Sequence, residues 1–177
     1  MLENFNFIIS CRRFLEKDCA NEIWYFFSLI GDDKSKCRPT NMPGLVTAKT
    51  ELDPIQAINQ LIQIVENDPY SFRFSLKIVP IQICVDSNLD DIKQAILDLK
   101  YLINENDSFK LEIKKRYSDF KTPELIQELA DLIDNKVNLT SPDKIVRIEI
   151  IGKRTGVSIL EPKQILRLEK IKQDSLF

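Results

Sequence analysis

FKLEIKKRYSDFKTPELIQELADLIDNKVNLTSPDKIVRIEIIGKRTGVSIL, residues 109–160, decides the fold. Phe109-Lys110-Leu111-Glu112-Ile113-Lys114-Lys115-Arg116 alternates apolar and polar side chains, which predicts a strand with one buried face and one charged face. It ends in three consecutive cations. Tyr117 to Lys121 reads as a loop. Thr122 stands where an N-cap belongs, with Pro123 at the first helical position. Leu125, Ile126, Leu129, Leu132 and Ile133 follow at helical spacing on one face. Lys144-Ile145-Val146-Arg147-Ile148-Glu149-Ile150-Ile151 alternates again, Gly152 to Gly156 turns the chain, and Val157-Ser158-Ile159-Leu160 returns. Strand, helix and strand at this spacing predict a right-handed βαβ unit with parallel strands, closed by an antiparallel hairpin.

Working outward, Phe5 to Cys11 reads as a central strand closed by Arg12-Arg13, and Phe14 to Ile30 as a helix stopped by Gly31. Lys34 to Gly44, with two prolines, reads as a polar and mobile loop. Leu45 to Thr50 is a short strand. Asp53 caps an amphipathic helix carrying Ile55, Ile58, Leu61, Ile62 and Val65. Phe72 to Val85 is long and extended, but Pro80 argues against one fully paired central strand. It predicts a strand that leaves one sheet and connects to the next domain. Asn88 is placed to cap a helix from Leu89 to Ile103. The segment from Glu161 to Lys172 fits a short amphipathic helix or a strand extension. These patterns predict an α+β protein in two parts: a ferredoxin-like domain over 1–80, then a domain with a mixed sheet over 81–177, joined near Val85.

Composition narrows the chemistry. The 177 residues are 44% hydrophobic and 29% charged, with a net charge of −2. The balance is local, however. Residues 109–121 hold five cations against two anions, and residues 144–172 hold eight against three. A basic C-terminal half in a mildly acidic chain suits a localised nucleic-acid face. There is no histidine, which removes the commonest general base and metal ligand. Cys11, Cys19, Cys37 and Cys84 show no C-x-x-C spacing, so neither a metal site nor a redox motif is expected. Four glycines, Gly31, Gly44, Gly152 and Gly156, form no phosphate loop, and no serine has a histidine to activate it. No catalytic residue and no cofactor are expected. Met1-Leu2-Glu3-Asn4 lacks the cationic start of a signal peptide, and the chain reads as cytoplasmic, reduced and free of membrane spans.

The cations point to RNA phosphates. Lys114, Lys115, Arg116 and Lys121 flank the helix start at Pro123, where unpaired N–H groups and the positive dipole end gather. Lys153 and Arg154 sit in the hairpin turn, and Arg147 lies on the strand between. Tyr117 is placed to stack on an unpaired base, whereas Phe120 reads as packing under the loop. Six cations on phosphates would give a log–log salt slope of about −4 to −5.

Lys114-Lys115-Arg116, the Thr122-Pro123-Glu124 helix start and the run from Val137 to Leu160, above all Val137 to Glu149, resemble a THUMP domain. The chain as a whole is similar to the stand-alone THUMP-containing tRNA acetylation adaptors. The resemblance implies an RNA-binding module that follows a ferredoxin-like domain and is associated with the tRNA acceptor end. It implies a non-catalytic adaptor that presents tRNA to a separate RNA cytidine acetyltransferase, which makes N4-acetylcytidine in the D-arm. Two alternatives stand beside it: an assembly factor that binds protein through the segment 161–172 and no RNA, or an RNA-binding module serving another modification such as thiolation or methylation.

Overall fold

The computed structural model describes residues 2–176. It forms two compact units. One is Phe5–Ile81 with the residues from Gln164 on, and the other is Gln82–Lys163 with the residues up to Asn4. The protein is α+β, as its sequence predicts.

The first unit runs β1 (Phe7–Cys11), α1 (Glu16–Leu29), β2 (Lys36–Pro39), β3 (Leu45–Lys49), α2 (Pro54–Asn67) and β4 (Ser75–Pro80). Its strands are ordered β2-β3-β1-β4, all antiparallel, which is the ferredoxin-like arrangement. Phe7, Ile9 and Cys11 alternate from β1 into a core shared with Cys19, Ile23 and Phe27 of α1 and Ile58, Leu61 and Val65 of α2. Phe26 stacks on Phe72 at 3.9 Å between ring centroids, and Phe7 meets Phe27 at 5.0 Å. Burying each such ring or branched side chain contributes about 2 kcal/mol. Asp53 caps α2 through the backbone N–H groups of Ile55 and Gln56. The segment expected as a mobile loop contains the edge strand β2. Lys36-Cys37-Arg38-Pro39 carries no apolar alternation because only one of its edges is paired.

In the second unit, β5 (Ile83–Asp86) leads into α3 (Leu89–Leu99), followed by β6 (Phe109–Arg116), α4 (Thr122–Ala130), β7 (Lys144–Ile151) and β8 (Arg154–Leu160). The sheet order is β5-β8-β7-β6, with β6 parallel to β7 and β8 antiparallel to both its neighbours. The predicted mixed sheet, its parallel pair and its closing hairpin are all present. Beneath the helices, Ile92, Ile96, Leu125 and Leu129 pack on Val146, Ile148, Ile150 and Val157. The extended run at Pro80 does divide, ending β4 there and beginning β5 three residues on.

Three local expectations are corrected. Thr122 is the first helical residue and not the cap; Lys121 occupies the cap position without a side-chain hydrogen bond. The hairpin turn is only Gly152-Lys153, with Gly152 at φ +56°, so Gly156 lies inside β8. The segment from Glu161 is neither one helix nor a plain extension. It holds a 3-10 turn, then the two-residue strand β9 (Leu166–Arg167) on the edge of β4, then α5 (Leu168–Asp174). Leu166 and Leu168 are buried in the first unit's core, and residues from Gln164 on group with that unit, whereas the sequence reading placed them with the second domain.

Candidate nucleic-acid interface

Strands β5, β6 and β7 run in one direction, so their C-terminal ends share one edge of the second sheet. Helices α3 and α4 begin at that edge, because each follows one of these strands. An open groove of about 970 Å³ lies there. Leu89, Phe120 and Leu125 supply apolar wall, while Tyr117, Lys121 and Lys153 supply aromatic and cationic rim. Open α/β sheets bind ligands outside the carboxyl ends of parallel strands, which is where this groove sits.

The loop between β6 and α4 is pinned at both ends. The Gly152 backbone N–H donates to the Arg116 carbonyl at 2.9 Å, which ties the loop to the β7–β8 turn. Lys115 Nζ donates to the Phe120 carbonyl at 2.5 Å, which fixes the other side. Between the pins, Tyr117 adopts φ +52° with its side chain 77% exposed. Phe120 is partly buried against the core, as expected. Alternation along β6 sends Leu111 and Ile113 to the helix-covered core and sets Lys114 and Arg116 on the opposite face.

The expected site residues therefore divide. Tyr117, Lys121 and Lys153 come together around the groove, and Lys115 stands behind it with its ammonium on the Phe120 carbonyl. Lys121 is 76% exposed and pairs loosely with Glu124 at 3.4 Å. Lys114 is exposed on the other face of β6. Arg116 and Arg154 reach the same edge but are engaged: Arg116 bonds Glu149 at 2.8 Å, and Arg154 bonds Asp86 at 2.5 Å, with Asn4 as a further partner.

Arg147 is a correction. Its guanidinium is 2% exposed and donates to Glu149 at 2.6 Å and to Glu112 at 2.6 Å. A buried cation paired with two carboxylates is not presented to phosphate. Burial pushes the Glu112 carboxyl up, but hydrogen bonds and charge from Lys110 and Arg147 outweigh that and hold it below the usual carboxylate range. The register pairs Glu112 with Arg147 across β6 and β7, and this charge complement is the signal in the sequence that marks Arg147 as internal.

Acidic residues temper the groove. Asp119, Glu124 and Glu128 line it, but Lys121 offsets Glu124, and Lys93 offsets Glu128 at 2.5 Å. Asp90 and Asp91 occupy the first turn of α3 and match its dipole. Among the described residues there is no cluster of potential metal ligands and no helix long and apolar enough to cross a membrane.

Residues 86–160 match the family model of the THUMP domain. The chain is 30% identical over 132 residues to the THUMP domain-containing protein 1 homolog of Drosophila melanogaster, a match that covers 69% of this chain and 41% of that protein. Among solved structures, a protein of Pyrococcus horikoshii superposes with a TM-score of 0.67 at 16% identity, over 89% of this chain and 55% of its own. A 4-thiouridine synthetase, solved as an RNA complex with bound ATP, superposes with a TM-score of 0.53 at 15% identity, over 89% and 42% of the two chains. The structural likenesses show the fold. The chain spans less than half the length of the curated relatives it matches.

Proposed function

We infer that this chain is a tRNA-binding module without catalytic machinery of its own, and that it presents tRNA to a separate modifying enzyme. The observation that carries the reading is the groove at the carboxyl edge of β5, β6 and β7, rimmed by Tyr117, Lys121 and Lys153 inside the segment that matches a THUMP domain. THUMP domains are associated with RNA binding in tRNA-modifying enzymes. Lys115, Lys121 and Lys153 take phosphates, Lys114 contacts the backbone of the same RNA from its own face, and Tyr117 stacks on an unpaired base. Arg116 and Arg154 shape the edge and contribute long-range charge.

The modification we assign is N4-acetylation of cytidine, because the chain as a whole resembles the stand-alone acetylation adaptors. The acetyltransferase supplies acetyl donor, base and oxyanion stabilisation, and this chain supplies position. A cytoplasmic setting agrees with the four free cysteines. Mass spectrometry of tRNA nucleosides from cells lacking this chain tests the assignment. Loss of N4-acetylcytidine alone supports it. Loss of a different modified nucleoside moves the chain to another enzyme, and an unchanged nucleoside profile contradicts the adaptor reading.

A further inference from the structure

Among the described residues, two non-glycine residues have left-handed backbone: Phe14 at φ +71° and Tyr117 at φ +52°. Both are aromatic. Both follow a run of cations where a strand ends, Arg12-Arg13 just after β1 and Lys114-Lys115-Arg116 as the last residues of β6. Both stand just ahead of a helix, α1 and α4. Both are exposed, Phe14 at 94% and Tyr117 at 77%. Bulky side chains avoid this region of backbone space, and burial of a ring in the core would be the ordinary reason to accept it. Neither ring is in the core.

The Phe14 turn is built to persist. Leu15 N–H donates to the Arg12 carbonyl at 3.2 Å, and Cys11 N–H donates to the Gly44 carbonyl at 2.9 Å. Gly44 N–H donates to the Glu16 carboxylate at 2.6 Å, which takes up the acid nearest the turn. A second segment arrives beside it. Cys11 pairs with Ser75, so the two arginines leave β1 next to Arg73. The Glu22 carboxylate accepts from the backbone N–H groups of Arg73, Phe74 and Ser75, holding that strand entrance in place. Arg12, Arg13 and Arg73 are exposed and have no ion-pair partner among the described residues.

We propose that Phe14, flanked by Arg12, Arg13 and Arg73, is a second contact for unpaired RNA, carried by the ferredoxin-like unit. Phe14 stacks on a base, and the arginines hold the phosphates on either side of it. Stacking needs an open ring face and tolerates any base, while guanidinium groups grip phosphate and stack themselves. The choice of RNA as partner rests on the RNA reading of the matching Tyr117 edge.

The test uses the full chain, a fluorescent twelve-nucleotide oligouridylate and a tRNA transcript. Phe14→Gly is expected to weaken oligonucleotide binding about fivefold or more, while its melting temperature does not fall. Phe14→Trp, made with Trp24→Phe, is expected to bind like the parent and to lose indole fluorescence on adding the oligonucleotide. Unchanged affinity of Phe14→Gly for both RNAs, or an indole that does not respond, overturns the proposal. If Lys121→Glu with Lys153→Glu abolishes tRNA binding while Phe14→Gly changes nothing, only this second contact falls. If the parent binds oligouridylate through Phe14 but not tRNA, this contact stands and the tRNA reading falls. Phe14-dependent co-sedimentation with phosphatidylserine vesicles, with RNA affinity unaffected, overturns it in favour of a membrane.

Discussion

Arg147 and Glu149 form a buried ion pair two residues apart on β7, with the guanidinium Nη2 2.6 Å from Glu149 Oε1 and side chains 2% and 1% exposed. Glu149 also receives Arg116, and Arg147 also reaches Glu112, so four charges on β6 and β7 neutralise each other on one sheet face. Removing one partner strands the others in low dielectric. Glu149→Ala is expected to cost about 3 kcal/mol, read as a lower urea midpoint at constant slope. A cost below about 1 kcal/mol would mean that water relieves the charges. The same network makes Arg116 a poor probe of RNA binding, because reversing its charge sets two carboxylates together.

Gly44 sits at φ +73°, and a Cβ there would lie 2.8 Å from the Cys11 carbonyl oxygen. The blocking atom is backbone, so it does not swing away. Gly44→Ala is expected to destabilise by about 2 kcal/mol, combining left-handed strain with the clash. Chemical denaturation reads this directly, and a neutral result would mean that the β2–β3 loop shifts freely.

Asp143 ties the start of β7 to the residue before β6. Ser108 Oγ–H donates to its carboxylate at 2.7 Å and Ser108 N–H at 2.8 Å, and these bonds hold the carboxyl below the usual range. A lowered folded value means that the contribution is complete above the unfolded value of about 3.9 and is lost as pH falls through the folded one. The stability gap between the parent and Asp143→Asn is therefore expected to be flat above about pH 5 and to close on acidification below pH 4. A gap that widens in acid would reverse the assignment.

Tyr117→Gly separates strain from binding. Glycine accepts φ +52° freely, so folding is expected to hold or improve by up to about 1 kcal/mol, after the entropy glycine adds to the unfolded chain. RNA affinity is expected to fall about fivefold or more as the stacking ring is lost. Calorimetry and a binding titration on the same sample check both. A variant that is weakened in both would mark Tyr117 as structural.

Much of the fold was legible because the signals are local and redundant. Alternation in Phe109–Arg116 and Lys144–Ile151 located two strands to the residue, and Asp53 and Asn88 announced helix starts that they do cap. β2 was not legible, since an exposed edge strand needs one partner and no apolar face. The capping of α4 was misread because Thr122-Pro123 satisfies the same local rule whether threonine caps or opens the helix. For the site, chain order places Lys121 and Lys153 beyond the ends of β6 and β7, and the structure has both lining the groove there. Arg147 was misplaced because a cation on an alternating strand looks solvated until the facing strand supplies Glu112. The positive φ of Phe14 and Tyr117 has no sequence signal: Phe14 lies inside a turn closed by Leu15 N–H on the Arg12 carbonyl, and the Arg116 carbonyl beside Tyr117 accepts from Gly152, far along the chain.

The central claim is that the groove edge holds tRNA phosphates. A titration of tRNA at two salt concentrations, with duplex DNA as control, on the parent and on Lys121→Glu with Lys153→Glu tests it most directly. Both lysines are exposed and a glutamate at the start of α4 suits the helix dipole, so the double variant is expected to fold. With Lys114, Lys115, Lys121 and Lys153 as the cations of this edge, the parent is expected to prefer tRNA with a log–log salt slope of about −3 or steeper, and the variant to lose most of its affinity. A parent whose tRNA binding ignores salt, or a folded variant that binds tRNA as the parent does, would contradict the account.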